Sequence, residues 1–148
     1  MNIKRTDSSN TDFQNLVRHL DADLSVRNGD DHEFFNHFNK IDMIRNCLVA
    51  YIDGIPAACG AFKKLSEETV EIKRMYTNPE FRKRGLATAL VQELEIWAKE
   101  SGFKKAVLET SAEQNEALSV YEKSGFYRIP NYEPYAGIDK SVCYEKVL

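Results

Sequence analysis

Apolar residues recur along this chain with two different periods, and each change of period marks a change of element. Met1–Thr6 reads as a short strand. Asp7-Ser8-Ser9-Asn10 then offers N-cap side chains ahead of Phe13, Leu16, Val17, Leu20 and Leu24, which are spaced as on one helix face. Asn28-Gly29-Asp30-Asp31 ends that helix, and His32 to about Lys40 predicts a second, short one. From Asn46 the period shortens. Cys47–Ile52, then Asp53-Gly54, then Ile55–Phe62 predicts a hairpin, because Asp-Gly supplies the positive φ angles of a tight turn. Ser66-Glu67-Glu68 is a further turn, and Thr69–Thr77 is strand-like.

The helical period returns after Gly85, with Leu86, Leu90, Leu94, Trp97 and Ala98 on one face and Gly102 as its C′ stop. Lys105–Thr110 predicts a strand and Glu116–Lys123 a helix. Phe126–Ile129 and Ser141–Val147 predict two closing strands, joined by an aromatic, turn-rich loop from Pro130 to Lys140. The order β-α-α-β-β-β-α-β-α-β-β, without repeats or linkers, predicts one mixed α/β domain over residues 1–148.

Composition narrows the class. The 148 residues are 43% hydrophobic and 29% charged, as in a folded globular chain, and the net charge of −3 argues against a general nucleic-acid binder. No apolar run approaches the ~20 residues of a membrane helix, and the start lacks a signal-peptide core, so a cytoplasmic protein is expected. Cys47, Cys59 and Cys143 are isolated and odd in number, which reads as buried thiols in a reducing compartment. His32 and His37 lie five apart, too far round a helix to share a zinc ion, and no metal is expected.

One segment carries chemistry. Arg82-Lys83-Arg84-Gly85-Leu86-Ala87 joins the Thr69–Thr77 strand to a helix start, where unpaired N–H groups and the helix dipole bind anions. Gly85 allows close backbone approach, and small Ala87 avoids a clash, so the local reading is a phosphate or diphosphate cradle. Arg-x-x-Gly-x-Ala after a strand resembles the (Gln/Arg)-x-x-Gly-x-(Gly/Ala) signature of the GNAT superfamily of N-acetyltransferases. About forty residues on, Ala117-Leu118-Ser119-Val120-Tyr121-Glu122-Lys123-Ser124-Gly125-Phe126 resembles the family's Ala-Ile-x-Leu-Tyr-Glu-Lys-x-Gly-Phe segment. The resemblance covers residues 45 to 130 well and the first forty poorly. It implies a central twisted, mostly antiparallel sheet of six to seven strands flanked by four helices, with acetyl-coenzyme A as co-substrate.

The same resemblance implies roles. Backbone groups of Met75, Tyr76 and Thr77 would pair with the pantetheine arm, and backbone N–H groups from Lys83 to Thr88 would hold the pyrophosphate. The side chains of Arg82, Lys83 and Arg84 are equally readable as a solvated surface run. Leu86 and Ala87 fall within the cradle. Gln114 stands where many members have a pantetheine-binding Asn, with Asn115 next to it, and an amide of either length can make the bond. Tyr121 matches the tyrosine that donates a proton or hydrogen bond to the coenzyme A sulfur, and a phenol of pKa about 10 is protonated at neutral pH. Its other reading is a core tyrosine with a satisfied hydroxyl.

Amide formation also needs a base, because an alkyl ammonium of pKa about 10 is not a nucleophile at neutral pH. Counted back from Arg82 without gaps, Glu71 matches the catalytic glutamate of the histone-acetyltransferase branch. The alternative is a carboxylate paired with Lys73, Lys63 or Lys64 on a solvated face. Strand alternation places Glu71, Lys73, Met75 and Thr77 on one face. Glu109, on the neighbouring strand, is the second candidate, and a water-mediated route stays open.

The resemblance places the amine acceptor, a small molecule or a peptide, between Asp21–Lys40 and the Tyr132-Glu133-Pro134-Tyr135 loop. Asp23, Arg27, His32, Glu33, Phe34 and Phe35 lie in the first of these. The expected function is acetyl-coenzyme A-dependent N-acetyl transfer by direct attack in a ternary complex, since no Cys or Ser has a partner suggesting a covalent intermediate. Two other readings stand beside it, a non-catalytic acyl-coenzyme A sensor and a nucleotide or sugar-phosphate binder. A homodimer is compatible with the chain, because the Trp97 helix and closing strands could offer an apolar surface.

Overall fold

The structure is a computed structural model that describes residues 1–28 and 43–148. Seven strands form one sheet in the order β1-β2-β3-β4-β5-β7-β6. They are β1 (Asn2–Thr6), β2 (Asn46–Ile52), β3 (Ile55–Lys64), β4 (Thr69–Thr77), β5 (Lys105–Ser111), β6 (Tyr127–Ile129) and β7 (Ser141–Val147). Three α-helices are present among the described residues: α1 (Thr11–Asn28), α2 (Leu86–Glu100) and α3 (Asn115–Lys123). The expected helix from His32 to Lys40 lies outside the described residues. Of the N-cap candidates, Asn10 does the work, its Oδ1 accepting from Phe13 N at 2.9 Å.

The sheet is covered on both faces. Leu86, Leu90, Val91, Leu94 and Ala98 of α2 pack with Leu48, Phe62, Val70, Ile72 and Leu108, and Tyr121 of α3 joins this cluster. Phe13, Leu16 and Val17 of α1 pack on the opposite face with Cys47, Val49, Cys59 and Tyr76. All three cysteines are buried and unpaired with one another. Every strand pair is antiparallel except β4 with β5. That parallel pair runs only from Thr69 to Ile72 opposite Lys105 to Leu108, and beyond it the two strands part.

One expectation is corrected here. Between Cys59/Ala61 on β3 and Lys73/Tyr76 on β4 the register slips, β4 carrying one extra residue. Arg74 takes φ +62° at this bulge. An inserted residue reverses the alternation that follows it. Glu71 and Lys73 therefore face α1, whereas Met75 packs with the α2 cluster, so Met75 and Thr77 do not share the Glu71 face. Gly60 lies against this bulge. A Cβ there would sit 2.5 Å from Met75 Sδ, so the bare backbone makes room for the re-aimed Met75 side chain.

Candidate active site

Where β4 and β5 part, a cleft of about 750 Å3 opens, within the range of about 300–1,000 Å3 usual for small-molecule sites. Met75, Tyr76 and Thr77 form one wall, and Gln114, Ala117, Val120 and Tyr121 of α3 the other. The Arg82–Thr88 turn closes one end. At the other end the cleft meets a smaller hollow containing Glu71, Lys73, Glu109 and Tyr135. Leu20 of α1 and Tyr121 of α3 line both spaces, so the gap passes through the sheet from one helical layer towards the other.

The turn is built by local forces. Pro79–Phe81 forms a single 3-10 turn, its Asn78 side chain accepting from Glu80 N while Phe81 is buried. Arg82 Nε donates to Thr77 O at 2.9 Å, and its guanidinium lies 5.8 Å from the Tyr76 ring. Arg84 stacks over Phe81 at 5.3 Å. Lys83 and Gly85 both take left-handed φ, +65° and +80°. Gly85 is the N-cap of α2 and no side chain caps it. The first intrahelical bond runs from Ala89 N to Gly85 O, so the N–H groups of Leu86, Ala87 and Thr88 point out of the helix start. A Cβ at Gly85 would meet nothing within 4 Å. Within the chain glycine is thus required for its φ, and the open space beside it is the cleft.

Of the residues expected to hold a cofactor, Met75, Tyr76, Thr77, Arg82, Lys83, Gly85, Leu86, Ala87, Thr88, Gln114 and Tyr121 all line the cleft. Arg84 turns to Phe81 and Asn115 is exposed at the start of α3; neither lines it. Gln114 Oε1 accepts from Thr110 Oγ1 at 3.2 Å, which orients the amide at the junction of cleft and hollow. Asp23 also reaches the cleft wall. Asp23 was expected on the acceptor side from the resemblance, whereas Leu20 had no signal beyond helix spacing, because only tertiary packing brings α1 to the gap. Of the others expected on the acceptor side, Arg27 falls in the last turn of α1, and His32, Glu33, Phe34 and Phe35 lie outside the described residues.

The chemistry is concentrated at the floor. Tyr121 is 6% exposed, held edge-on by Phe126 at 6.0 Å and tilted against Tyr144 at 6.3 Å. Burial, and then the nearby Glu109 charge, pushes its phenol well above the ordinary value, so it keeps its proton. Glu71 is engaged: its Oε2 accepts from Tyr132 Oη at 2.7 Å and its Oε1 lies 3.7 Å from Lys73 Nζ. Glu109 accepts from Ser141 Oγ at 2.8 Å. Burial raises its carboxyl to about 7; the Glu71 charge adds to the rise, while the Ser141 hydrogen bond and the Lys73 charge oppose it. A titrating carboxyl and a protonated phenol thus stand at the end of the cleft opposite the uncapped helix start. That pairing suits removal of a proton from one group and donation to another. Among the described residues no group of three or more His, Cys, Asp or Glu side chains could hold a metal ion, and no helix is long and apolar enough to cross a membrane.

The fold matches that of a Klebsiella pneumoniae protein assigned as an acyl-CoA N-acyltransferase, with a TM-score of 0.82 at 24% identity over 99% of this chain and 97% of the other. It also matches an Elizabethkingia anophelis GNAT family acetyltransferase with acetyl-CoA bound, with a TM-score of 0.69 at 17% identity over 99% and 97%. At these identities the likeness establishes the fold alone. Two curated relatives are closer in sequence. An IAA acetyltransferase from Azospirillum brasilense is 31% identical over 102 residues, 68% of this chain and 67% of that protein. The uncharacterized N-acetyltransferase YjgM of Escherichia coli K12 is 42% identical over 59 residues, 40% of this chain and 35% of that protein. The matches thus span from about a third to two thirds of these relatives' own lengths. Residues 13–126, which hold the parted strands, the uncapped helix start and Tyr121, match the model of the acetyltransferase (GNAT) family, and the chain belongs to that family.

Proposed function

We propose that the chain is an acetyl-coenzyme A-dependent N-acetyltransferase that acylates a primary amine of a small molecule or peptide. The observation that carries the reading is the gap between β4 and β5. It joins an uncapped helix start at one end to Glu109 and Tyr121 at the other. Acetyl-coenzyme A supplies the activated acyl group. The helix start and the left-handed Lys83 and Gly85 present N–H groups to its pyrophosphate. The edge of β4 from Met75 to Thr77, released from β5, offers backbone donors and acceptors to the pantetheine arm. Gln114 stands at the turn into the hollow.

Glu109, with Glu71 as the neighbouring alternative, accepts the ammonium proton directly or through water, so that a neutral amine attacks the carbonyl. Carboxyl titration near neutrality is what a general base working at that pH requires. Tyr121 gives its hydroxyl proton, or a hydrogen bond, to the departing sulfur. Attack within one ternary complex is favoured because each of the three cysteines is buried. Burial raises the thiols of Cys47, Cys59 and Cys143 alike, away from the nucleophilic thiolate.

The test combines binding and turnover. Thermal midpoints are measured with acetyl-coenzyme A, coenzyme A and ADP, followed by a panel of amines with a free-thiol readout. A ligand at a hundredfold its dissociation constant adds about 2.7 kcal/mol, a shift of several degrees. A larger shift with acetyl-coenzyme A than with ADP, and thiol release that Tyr121→Phe slows by about a hundredfold, is the expected result. Equal shifts with ADP would leave a phosphate binder, and binding without thiol release from any amine would leave a sensor.

A further inference from the structure

Each of the two carboxylates under the cleft is held by a hydroxyl from the last third of the chain. Tyr132, on the β6–β7 connection, donates to Glu71, whereas Ser141, the first residue of β7, donates to Glu109 Oε2 at 2.8 Å. Ser141 is 2% exposed. It is fixed at two further points, its N–H donating to Ile138 O at 3.1 Å and its carbonyl accepting from Asn131 Nδ2 at 3.0 Å. The strand it opens continues Val142-Cys143-Tyr144, all buried. At such a position an apolar side chain would pack as well, and a buried hydroxyl needs a partner. Its acceptor is the carboxylate.

We infer that Ser141 is a positioning residue for the proton-accepting carboxylate: its Oγ–H fixes Glu109 Oε2 and favours the ionised form, leaving Oε1 to take the proton. This rests on the role proposed above for Glu109. Without such a donor, burial beside Glu71 would hold the carboxyl protonated at neutral pH and remove it as a base. The groups sharing the hollow with Glu109 are Glu71, Lys73 and Arg74 on β4, Tyr121 on α3 and Tyr135 on the loop, with Ser141 of β7 hydrogen-bonded to it, while α1 presents Leu20 and Leu24. Lys73 favours the ionised form and Glu71 opposes it. Ser141 acts on it through a direct hydrogen bond.

Ser141→Ala tests the inference through two readouts. Carbon-13 NMR titration of the glutamate carboxyls, with E109Q supplying the assignment, is expected to show the Glu109 midpoint rising by about one pH unit. The acid limb of kcat/KM moves with it, giving a loss of about tenfold at pH 6 and little at pH 9. Ser141→Thr, which keeps the hydroxyl, restores both. If Ser141→Ala does not fold, Ser141→Cys, a weaker donor of similar shape, serves the same comparison. An unmoved carboxyl midpoint overturns the inference whatever the activity. A midpoint that moves while the rate profile does not also overturns it, because Ser141 would then hold Glu109 without serving the reaction. Failure of the parent reading has a separate signature, full activity in E109Q; Ser141 then loses its catalytic role too.

Discussion

Glu71 and Glu109 stand on adjacent strands, face the same hollow, and differ in what surrounds them. Glu71 carries a tyrosine hydroxyl on one oxygen and lies near a lysine with the other. Glu109 accepts one serine hydroxyl, and partial burial, with the Glu71 charge adding to it, raises its carboxyl to about 7. Two carboxylates whose surroundings differ in this way are suited to different roles. Replacing Glu109 by Gln is expected to lower kcat/KM at pH 8 by about 10²- to 10⁴-fold, whereas Glu71→Gln costs less than about tenfold. In the parent enzyme kcat/KM should rise with pH through about 7 as Glu109 loses its proton. Steady-state kinetics from pH 5.5 to 9 on the three proteins check both statements, and a larger loss in the Glu71 variant would reverse the assignment. At this scale Tyr121 was legible in the sequence, because it stands in a motif. Ser141 was not, since a lone serine at a strand start has no pattern.

At the scale of elements, two backbone features shape the cleft. The bulge at Arg74 turns Met75 to the α2 side, and Gly60 on β3 leaves room for its sulfur. The left-handed Gly85 ends the turn and starts α2 with its N–H groups uncapped. Gly85→Ala puts a Cβ on a residue at φ +80° and should cost about 1–2 kcal/mol of stability, measured by urea unfolding. Because that Cβ projects into open cleft space, the variant should also bind acetyl-coenzyme A several-fold more weakly by calorimetry. Loss of stability without loss of affinity would mean that the turn does not hold the ligand. The period-2 and period-3.6 patterns predicted the described elements to within a residue or two. The bulge escaped them because one inserted residue changes which face a side chain takes without changing the apolar content of the strand.

The whole molecule links site and stability through the partly buried Glu109. Its carboxyl titrates near 7 in the folded chain and near 4.5 when exposed. A raised folded value means that the contribution to stability is full below about 4.5 and is lost as pH rises through 7. The loss amounts to up to about 3 kcal/mol. Glu109→Gln removes the titration, so this variant should gain stability relative to the parent between pH 5 and pH 8, as read by urea midpoints. A constant difference across that range would show that Glu109 is not desolvated. The sequence by itself determined the order of the described elements, the left-handed glycine before α2 and the tyrosine motif, because periodicity, glycine geometry and helix-start chemistry are local and written in consecutive residues. Only the tertiary structure decided that β4 and β5 part beyond Ile72 and Leu108. It also decided that α1 brings Leu20 to the gap, and that Glu71 meets Tyr132 and Lys73 whereas Glu109 meets Ser141. Strand splay, burial and the choice of hydrogen-bond partner depend on residues far apart in the chain, such as Glu109 and Ser141, whose proximity exists only once the sheet has closed.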